Sequence, residues 1–456
     1  MAWDPAADPI VQRGLATCDR VLHLLRGRGE ALVTCGQGTS NLTRFANSGI
    51  HQNIATDDAH VRLRVVVDGG RLAQAATTRL DAEGLERLVE GTIAAAGLCP
   101  PDPSFPGLAE PGAVPSVDHF DDATASASAD ARAEVVAAFV GADPELESAG
   151  YCSTEGITHV QCSTSGIRHA SRSTMAQLDA IHRAPSAGGP PADGYAQITA
   201  TSIAAMDGAR AGAVAVAKAR GGIGATDIEP GAYEVVLEPR AVASLLLYPA
   251  WLGFNGKAYA EGTSFVHLGE QQMDEQIDLW DDANDARALG RPYDAEGTPK
   301  RRVDLVSAGV AVGLCHDRRS AALAGTESTG SSIGQESFGG YPGDLFLGAG
   351  DRSLDDLVAG VTRGLLVTDL WYNRVLDPKT QVVTGLTRNG LFLIEDGEIR
   401  RPVQNLRYTQ SVVAALSPGH VLGVGNDAQL VSNEGGVVHV PSLHLSTWSF
   451  TGGARG

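Results

Sequence analysis

Beyond residue 230 the apolar residues of this chain come in short bursts, and that pattern limits the fold more than any other feature. LVSAGVAVGLC (305–315), DLFLGAG (344–350), GLLVTDLWY (364–372), GLFLIEDGEI (390–399) and VVHVPSLHLSTWSF (437–450) are strand-length runs separated by Gly, Asn, Asp and Pro. Such punctuation predicts a curled or barrel-like sheet. Only 244–255, 319–324 and 353–363 invite helix in this half.

The first half reads differently. Apolar residues at helical spacing span 10–28, and ALVTC (31–35) predicts a strand. VRLRVVVDGGRLAQAAT (61–77) predicts a hairpin turning at Asp68-Gly69-Gly70. DAEGLERLVEGTIAAAGL (81–98) is an amphipathic helix with Asp81 as N-cap. Residues 99–115 are too proline-rich for regular structure. Further helices are expected over 129–146 and 206–222, with a loop over 185–194. NSGIHQNIATDDAHVRLRV (47–65) and TSGIRHASRSTMAQLDAIH (164–182) share a Ser-Gly-Ile turn, through internal duplication or as two similar hairpins. DIEPG (227–231) marks the boundary. The expected class is α+β: an N-terminal α/β domain over 1–226, then a β-rich, barrel-like C-terminal domain over 227–456.

The 456 residues carry 35 basic and 54 acidic side chains, a formal charge of −19. A chain so acidic, with no run of Lys/Arg, is not expected to bind nucleic acid, because affinity for polyanions rests on neutralising phosphates. MAWDPAADPIVQRG has neither the basic nor the apolar region of a secretory signal. No apolar run reaches the length of a membrane span, so no membrane partner is expected. Six scattered cysteines (18, 35, 99, 152, 162, 315) without a CxxC pair read as free thiols. A cytoplasmic location follows as the expectation, and the Asn41-Leu42-Thr43 sequon reads as chance.

Several chemistries lack their residues. RGGIGATD (220–227) has glycines but neither a GK[ST] ending nor a strand-to-helix context. No G-x-S-x-G elbow is present. Cys315-His316-Asp317, read as part of a strand, would alternate faces and could not converge on one metal. His439 and His444 flank Pro441 on opposite faces of an extended segment. Paired acids such as Asp281-Asp282 read as a turn. A zinc peptidase helix needs two histidines on one face with a glutamate after the first. None of the twelve histidines is followed by glutamate.

Several segments resemble the TldD/TldE (PmbA) family: LTRFANSGIHQN (42–53), SFVHLGEQQMDEQIDLWDDA (264–283), HDRRSAALAGTESTG (316–330), TGLTRNGLFLIEDGEIRRPVQNLRYTQS (384–411) and VPSLHLSTWSFTG (440–452). The resemblance implies an α/β domain followed by a β-rich domain, and two kinds of subunit. TldD-type chains carry a zinc-binding HExxxH helix and a later cysteine ligand; TldE-type chains keep the architecture without the ligands and pair with a TldD-type chain. In the catalytic subunit that helix follows the first strand of the C-terminal domain, where LLLYPAWLGFNG (245–256) lies here. Overlaid on it, the first histidine falls on Tyr248, the glutamate on Pro249 and the second histidine on Gly253. The last cysteine is Cys315, before the family's ligand position.

The resemblance therefore implies a non-catalytic TldE-like subunit of a heteromeric zinc metallopeptidase. It has no catalytic or metal-binding residue of its own, and zinc is expected in the partner. It would complete a chamber for an extended peptide or peptide-like substrate, with Tyr248, Trp251, Phe254 and Asn255 as lining candidates against ordinary core packing. The alternatives are a partner subunit in amide or C–N bond hydrolysis during small-molecule biosynthesis, a stand-alone binding or scaffold homodimer, and an enzyme acting alone through Asp/Glu chemistry.

Overall fold

A computed structural model of the chain describes residues 3–186, 189–433 and 435–453. Residues 187–188 of the loop expected over 185–194, and the first two residues of the N-terminal segment, lie outside it. The N-terminal half is one helix–three-strand–helix unit built twice. The first unit comprises α1 (Pro9–Leu25), β1 (Glu30–Ala46), β2 (Gly49–Val67), β3 (Arg71–Thr77) and α2 (Ala82–Leu98). A short α3 (Asp122–Ala125) precedes the second: α4 (Ala129–Val140), β4 (Glu147–Ser163), β5 (Arg168–Ala184), β6 (Ala192–Ala200) and α5 (Gly208–Gly221). The six strands form one antiparallel sheet in the order β3-β2-β1-β4-β5-β6, so the units meet through β1 and β4 at its centre.

Local chemistry explains these elements. Asp8 and Asp81 cap α1 and α2 by accepting first-turn N–H bonds. The recurring Ser-Gly-Ile segments make the β1–β2 and β4–β5 hairpin turns, the same place in each unit. Asn47 and Ser48 turn with φ of 49° and 58°, the left-handed pair that matches strand twist in a two-residue hairpin. The strand expected over 31–35 runs on to Ala46, because polar residues from Gln37 to Thr43 keep the ladder where periodicity fades. The helix expected to reach 146 stops at Val140, where Gly141 caps it.

Both helix pairs lie on one face of the sheet. Val33, Cys35, Val61, Leu63 and Val65 pack under α1 and α2. Phe45, Cys152, Ala176 and Leu178 pack near α4 and α5 through Phe139 and Ala215. Residues 33, 35 and 45 share the odd parity of β1, so the two cores sit at opposite ends of the same strands.

The C-terminal half holds β7 (Gly231–Leu237), α6 (Pro239–Tyr248), α7 (Gly256–Ala260), β8 (Leu279–Asp281), β9 (Val303–Ser307), β10 (Val310–Ala311), α8 (Arg318–Ala324), β11 (Leu345–Leu347) and α9 (Leu354–Ala359). It continues through β12 (Arg363–Asp377), β13 (Val382–Glu395), β14 (Glu398–Pro402), β15 (Leu406–Ser411), α10 (Val412–Ala415), β16 (Val421–Val424), β17 (Gln429–Asn433), β18 (Gly436–Val440) and β19 (Leu443–Gly453). Strands β12, β7, β19, β15 and β13 pair in sequence and β13 pairs back to β12, closing a barrel. A second sheet runs β10-β9-β8-β11-β18-β17. Strand β7 is apolar on both faces: Val235 and Leu237 enter the main core, and Val236 meets Leu357 and Val361 outside. Asp281 is a strand residue of β8 and not part of a turn; Asp282 makes the turn by accepting from Asn284 N–H.

The opposite face of the first sheet is polar and is covered by residues 285–300 of the second half. Gln161 Nε2 donates to the Asp294 carbonyl at 3.2 Å, His169 Nε2 to Gly297 at 3.2 Å, and Tyr293 Oη to His159 at 3.1 Å. Arg64 joins them, its buried guanidinium 3.4 Å from Glu296 and in contact with Glu336, which also holds Arg319. Among the described residues no helix is long and apolar enough to cross a membrane.

Close backbone approach gives a test of this packing. A Cβ at Gly194 on β6 would overlap the Ala215 carbonyl and the Ala219 nitrogen of α5. Gly194→Ala should therefore destabilise the fold by about 1–3 kcal/mol, read from chemical denaturation. An unchanged midpoint would show that α5 can lift from the sheet without loss.

Candidate functional site

After β7 the chain enters α6 through Pro239 at its first turn, where a missing N–H is no loss. The helix expected over 244–255 thus begins earlier and ends at Tyr248. Pro249 has no N–H to extend the ladder, so the chain widens into a π turn over Pro249–Gly253, and Phe254 N–H donates to the Pro249 carbonyl at 2.9 Å. The turn needs a glycine at its end, because a Cβ on Gly253 would enter the Phe265 ring.

The four lining candidates separate here. Tyr248 and Phe254 are buried in the main core, Phe254 edge-on to Phe265 at 5.7 Å. Asn255 is buried as the cap of α7: its Oδ1 accepts from Lys257 N–H at 2.9 Å and Ala258 N–H at 3.3 Å, and its Nδ2 donates to the Phe338 and Trp251 carbonyls. Every hydrogen-bonding site of that amide is used. Trp251 alone presents surface, at 39% exposure, with its indole stacked on Phe338 at 5.6 Å.

The positions overlaid on the zinc motif do not suit a metal. Tyr248 is a buried phenol, Pro249 has no side-chain donor and Gly253 has no side chain. Among the described residues no three His, Cys, Asp or Glu stand together in a way that could hold an ion. Cys315-His316-Asp317 is not in a strand: Cys315 bridges Asn255, and Asp317 caps α8 by accepting from Ser320 N–H at 2.7 Å. His316 Nδ1 lies 3.3 Å from Ser320 Oγ, and burial lowers its pKa. His444 meets Glu234 at 2.6 Å and His439 stacks on Phe346.

Three carboxyls are buried where residue order does not mark them as buried. Burial pushes Asp281 up to about 7, with Lys300 opposing the shift and Asp344 adding to it. Asp294 is also pushed to about 7 by burial and by Glu296, although it accepts N–H bonds from Glu296, Thr298 and Ser332. Burial raises Asp369 to about 6 against the pull of Arg240. None lines either principal cleft. They tie loops together; the Asp-Asp doublet alone hinted at one of them. The larger cleft, open and about 490 Å³, carries mixed charge from Arg301, Arg302, Asp304 and Glu327, with His316 beside them.

A second feature suits an extended ligand. Strand β2 pairs with β1 along its whole length, but β3 covers only Val61–Val67. Among the described residues, 50–60 therefore leave one backbone edge unpaired, with Ile50 and Ile54 exposed beside it. Periodicity could not reveal this, because an edge exists only once neighbours are assigned.

Models of two PmbA/TldA metallopeptidase domains match this chain: the C-terminal domain over 230–452 and domain 1 over 35–96. Comparison with curated proteins found no match. Among solved structures the chain is similar to TldE from Thermococcus kodakarensis, with 20% identity, TM-score 0.85, and 96% of this chain and 99% of that one covered. It is also similar to two proteins described as candidate modulators of DNA gyrase. The one from Thermotoga maritima has 18% identity and TM-score 0.83, over 96% and 100% of the two chains. The one from Bacteroides thetaiotaomicron has 22% identity and TM-score 0.83, over 98% and 99%.

Two measurements follow from the site's geometry. Phe254→Ala should cost about 3–5 kcal/mol and Trp251→Ala clearly less, since only the former empties a core position; equal losses would contradict this placement. A carboxyl protonated to about 7 in the fold and to about 4 when unfolded binds more protons in the folded state. Its contribution to stability is full below pH 4 and is lost as pH rises from about 4 through 7. Asp281→Asn should flatten that fall between about pH 4 and 7 in urea titrations. An unaltered pH slope would rule out the raised carboxyl.

Proposed function

The chain belongs to the TldD/TldE (PmbA) family, and from that membership we propose that it acts as a TldE-type subunit, a non-catalytic partner of a zinc-binding TldD-type chain. The observation carrying this reading is the segment after β7. Where the resemblance expects a ligand pair, the chain has a buried phenol, a proline-made π turn and a glycine against Phe265. Zinc would be held by the partner, as the metallopeptidase name of the family suggests, and this chain would shape the space around it in the cytoplasm. Its substrate would be an extended peptide or peptide-like molecule. The open β2 edge supports that choice, since strand addition recruits backbone groups and tolerates varied side chains. Trp251, exposed against Phe338, is the lining candidate with area to offer a ligand.

Purified chain washed with chelator should retain no stoichiometric zinc, and co-expression with a TldD-type subunit should give a stable complex that cleaves peptide. One tightly held zinc per isolated chain would overturn the assignment. In that complex, Tyr248→Phe should leave turnover within a few-fold, whereas a thousand-fold loss with assembly intact would make this chain catalytic. N-methylation of alternate backbone amides in an extended substrate should lower cleavage at least ten-fold. Indifference to that change would remove strand addition from the proposal.

A further inference from the structure

Three of the six cysteines converge under α1. On β1 and β4 the register sets Cys35 opposite Val160 and Cys162 opposite Val33, so the two thiols are diagonal neighbours on the helix-bearing face. Cys18 of α1 descends onto them: its Sγ lies 3.2 Å from Cys35 Sγ, and Cys162 shares the same buried cluster. The other three cysteines are apart from this group: Cys152 lies in the second helical core, Cys315 beside Asn255, and Cys99 at the end of α2.

The packing of α1 on the strands also leaves a way in. A cleft of about 270 Å³ opens where α1 crosses β1, β2 and β4, bordered by Ile10, Arg13, Thr17 and Thr158, with Cys35 among its lining residues. Cys18 and Cys162 are fully buried, and Cys35 keeps 8% exposure. A molecule the size of a peroxide can meet Cys35 from the cleft, with Cys18 directly behind it.

We infer that Cys18, Cys35 and Cys162 form an oxidisable thiol site, in which peroxide joins Cys18 to Cys35 through a disulfide. The Cys35 thiolate attacks one peroxide oxygen, giving a sulfenic acid and releasing hydroxide. Cys18 sulfur then displaces the sulfenic oxygen, which leaves as water. In sum, two thiols and one hydrogen peroxide give one disulfide and two waters. Closing 3.2 Å to the S–S distance of about 2.05 Å asks for side-chain rotation, with α1 already seated on the strand. Cys162, the second neighbour of Cys18, can exchange into the bond by attacking Cys18 sulfur and releasing the Cys35 thiolate. The product staples α1 to β1. This inference is independent of the proposed subunit role.

The experiment treats the folded full-length chain with hydrogen peroxide, quenches by acid, alkylates under denaturing conditions and maps peptides by mass. Alkylatable thiols should fall from six to four, with a Cys18–Cys35 linked peptide about 2 Da lighter than its reduced parts, reversed by dithiothreitol. Cys35→Ser, which removes the thiol that meets peroxide, and Cys18→Ser, which removes its partner, should each abolish linkage within the trio. Retention of all six thiols in folded protein overturns the inference, as does oxidation confined to Cys99. Because the wild-type map decides the matter by itself, a variant that fails to fold does not remove the test.

Discussion

A guanidinium withdrawn from water near the centre of the molecule sets the terms for the rest of the architecture. Arg64 sits on the polar face of the first sheet and is matched by Glu296 and Glu336 from the second half. Glu336 in turn holds Arg319, which reaches back to Asp102 of the proline-rich excursion. Removing one partner of a buried pair leaves a charge with no compensation, at a cost of about 3–5 kcal/mol. The two halves are therefore specified against each other by charge and hydrogen bonding, while each completes its own apolar core. Asp294 shows the same economy, accepting N–H bonds from Glu296 and Thr298 within the covering segment and from Ser332 beyond it.

The duplicated unit explains why the first sheet has two unlike faces. Each copy brings its helices to the same side, so one face is apolar at both ends and interrupted in the middle. The opposite face is left polar for the second half to cover. The unequal cover given to β2 follows from the same geometry, since β3 is much shorter than the strand it joins.

The turn after α6 illustrates how a position can keep its place in a fold while its chemistry is replaced. Proline ends the α-ladder, the π turn satisfies the next backbone carbonyl, and Asn255 begins α7 with its amide saturated. Tyr248 and Phe254 then join a single core shared by the barrel and the second sheet. A residue supporting that core can be large and aromatic with no contact to a ligand, and aromatic composition alone cannot distinguish the two roles.

Much of this is legible in the order of the residues alone. Local signals that depend on near neighbours survive folding: the Asp68-Gly69-Gly70 hairpin, the Asp81 cap, the strands of the second half and the proline at 249. The recurring Ser-Gly-Ile turn marked the repeat, although the repeat itself appears only when strand order places β1 beside β4. Helix limits differ from the periodic run where a capping glycine or a proline ends the helix, as at Val140 and Tyr248. The residue pattern by itself determined the α+β class and the missing His-Glu pair, since both are properties of residue identity and order. Only the tertiary structure decided that Asp281 lies dry in a strand, that β2 keeps an open edge, and that three distant cysteines share one space. Those properties depend on which segments exclude water from one another, and that is settled by pairings far apart in the chain.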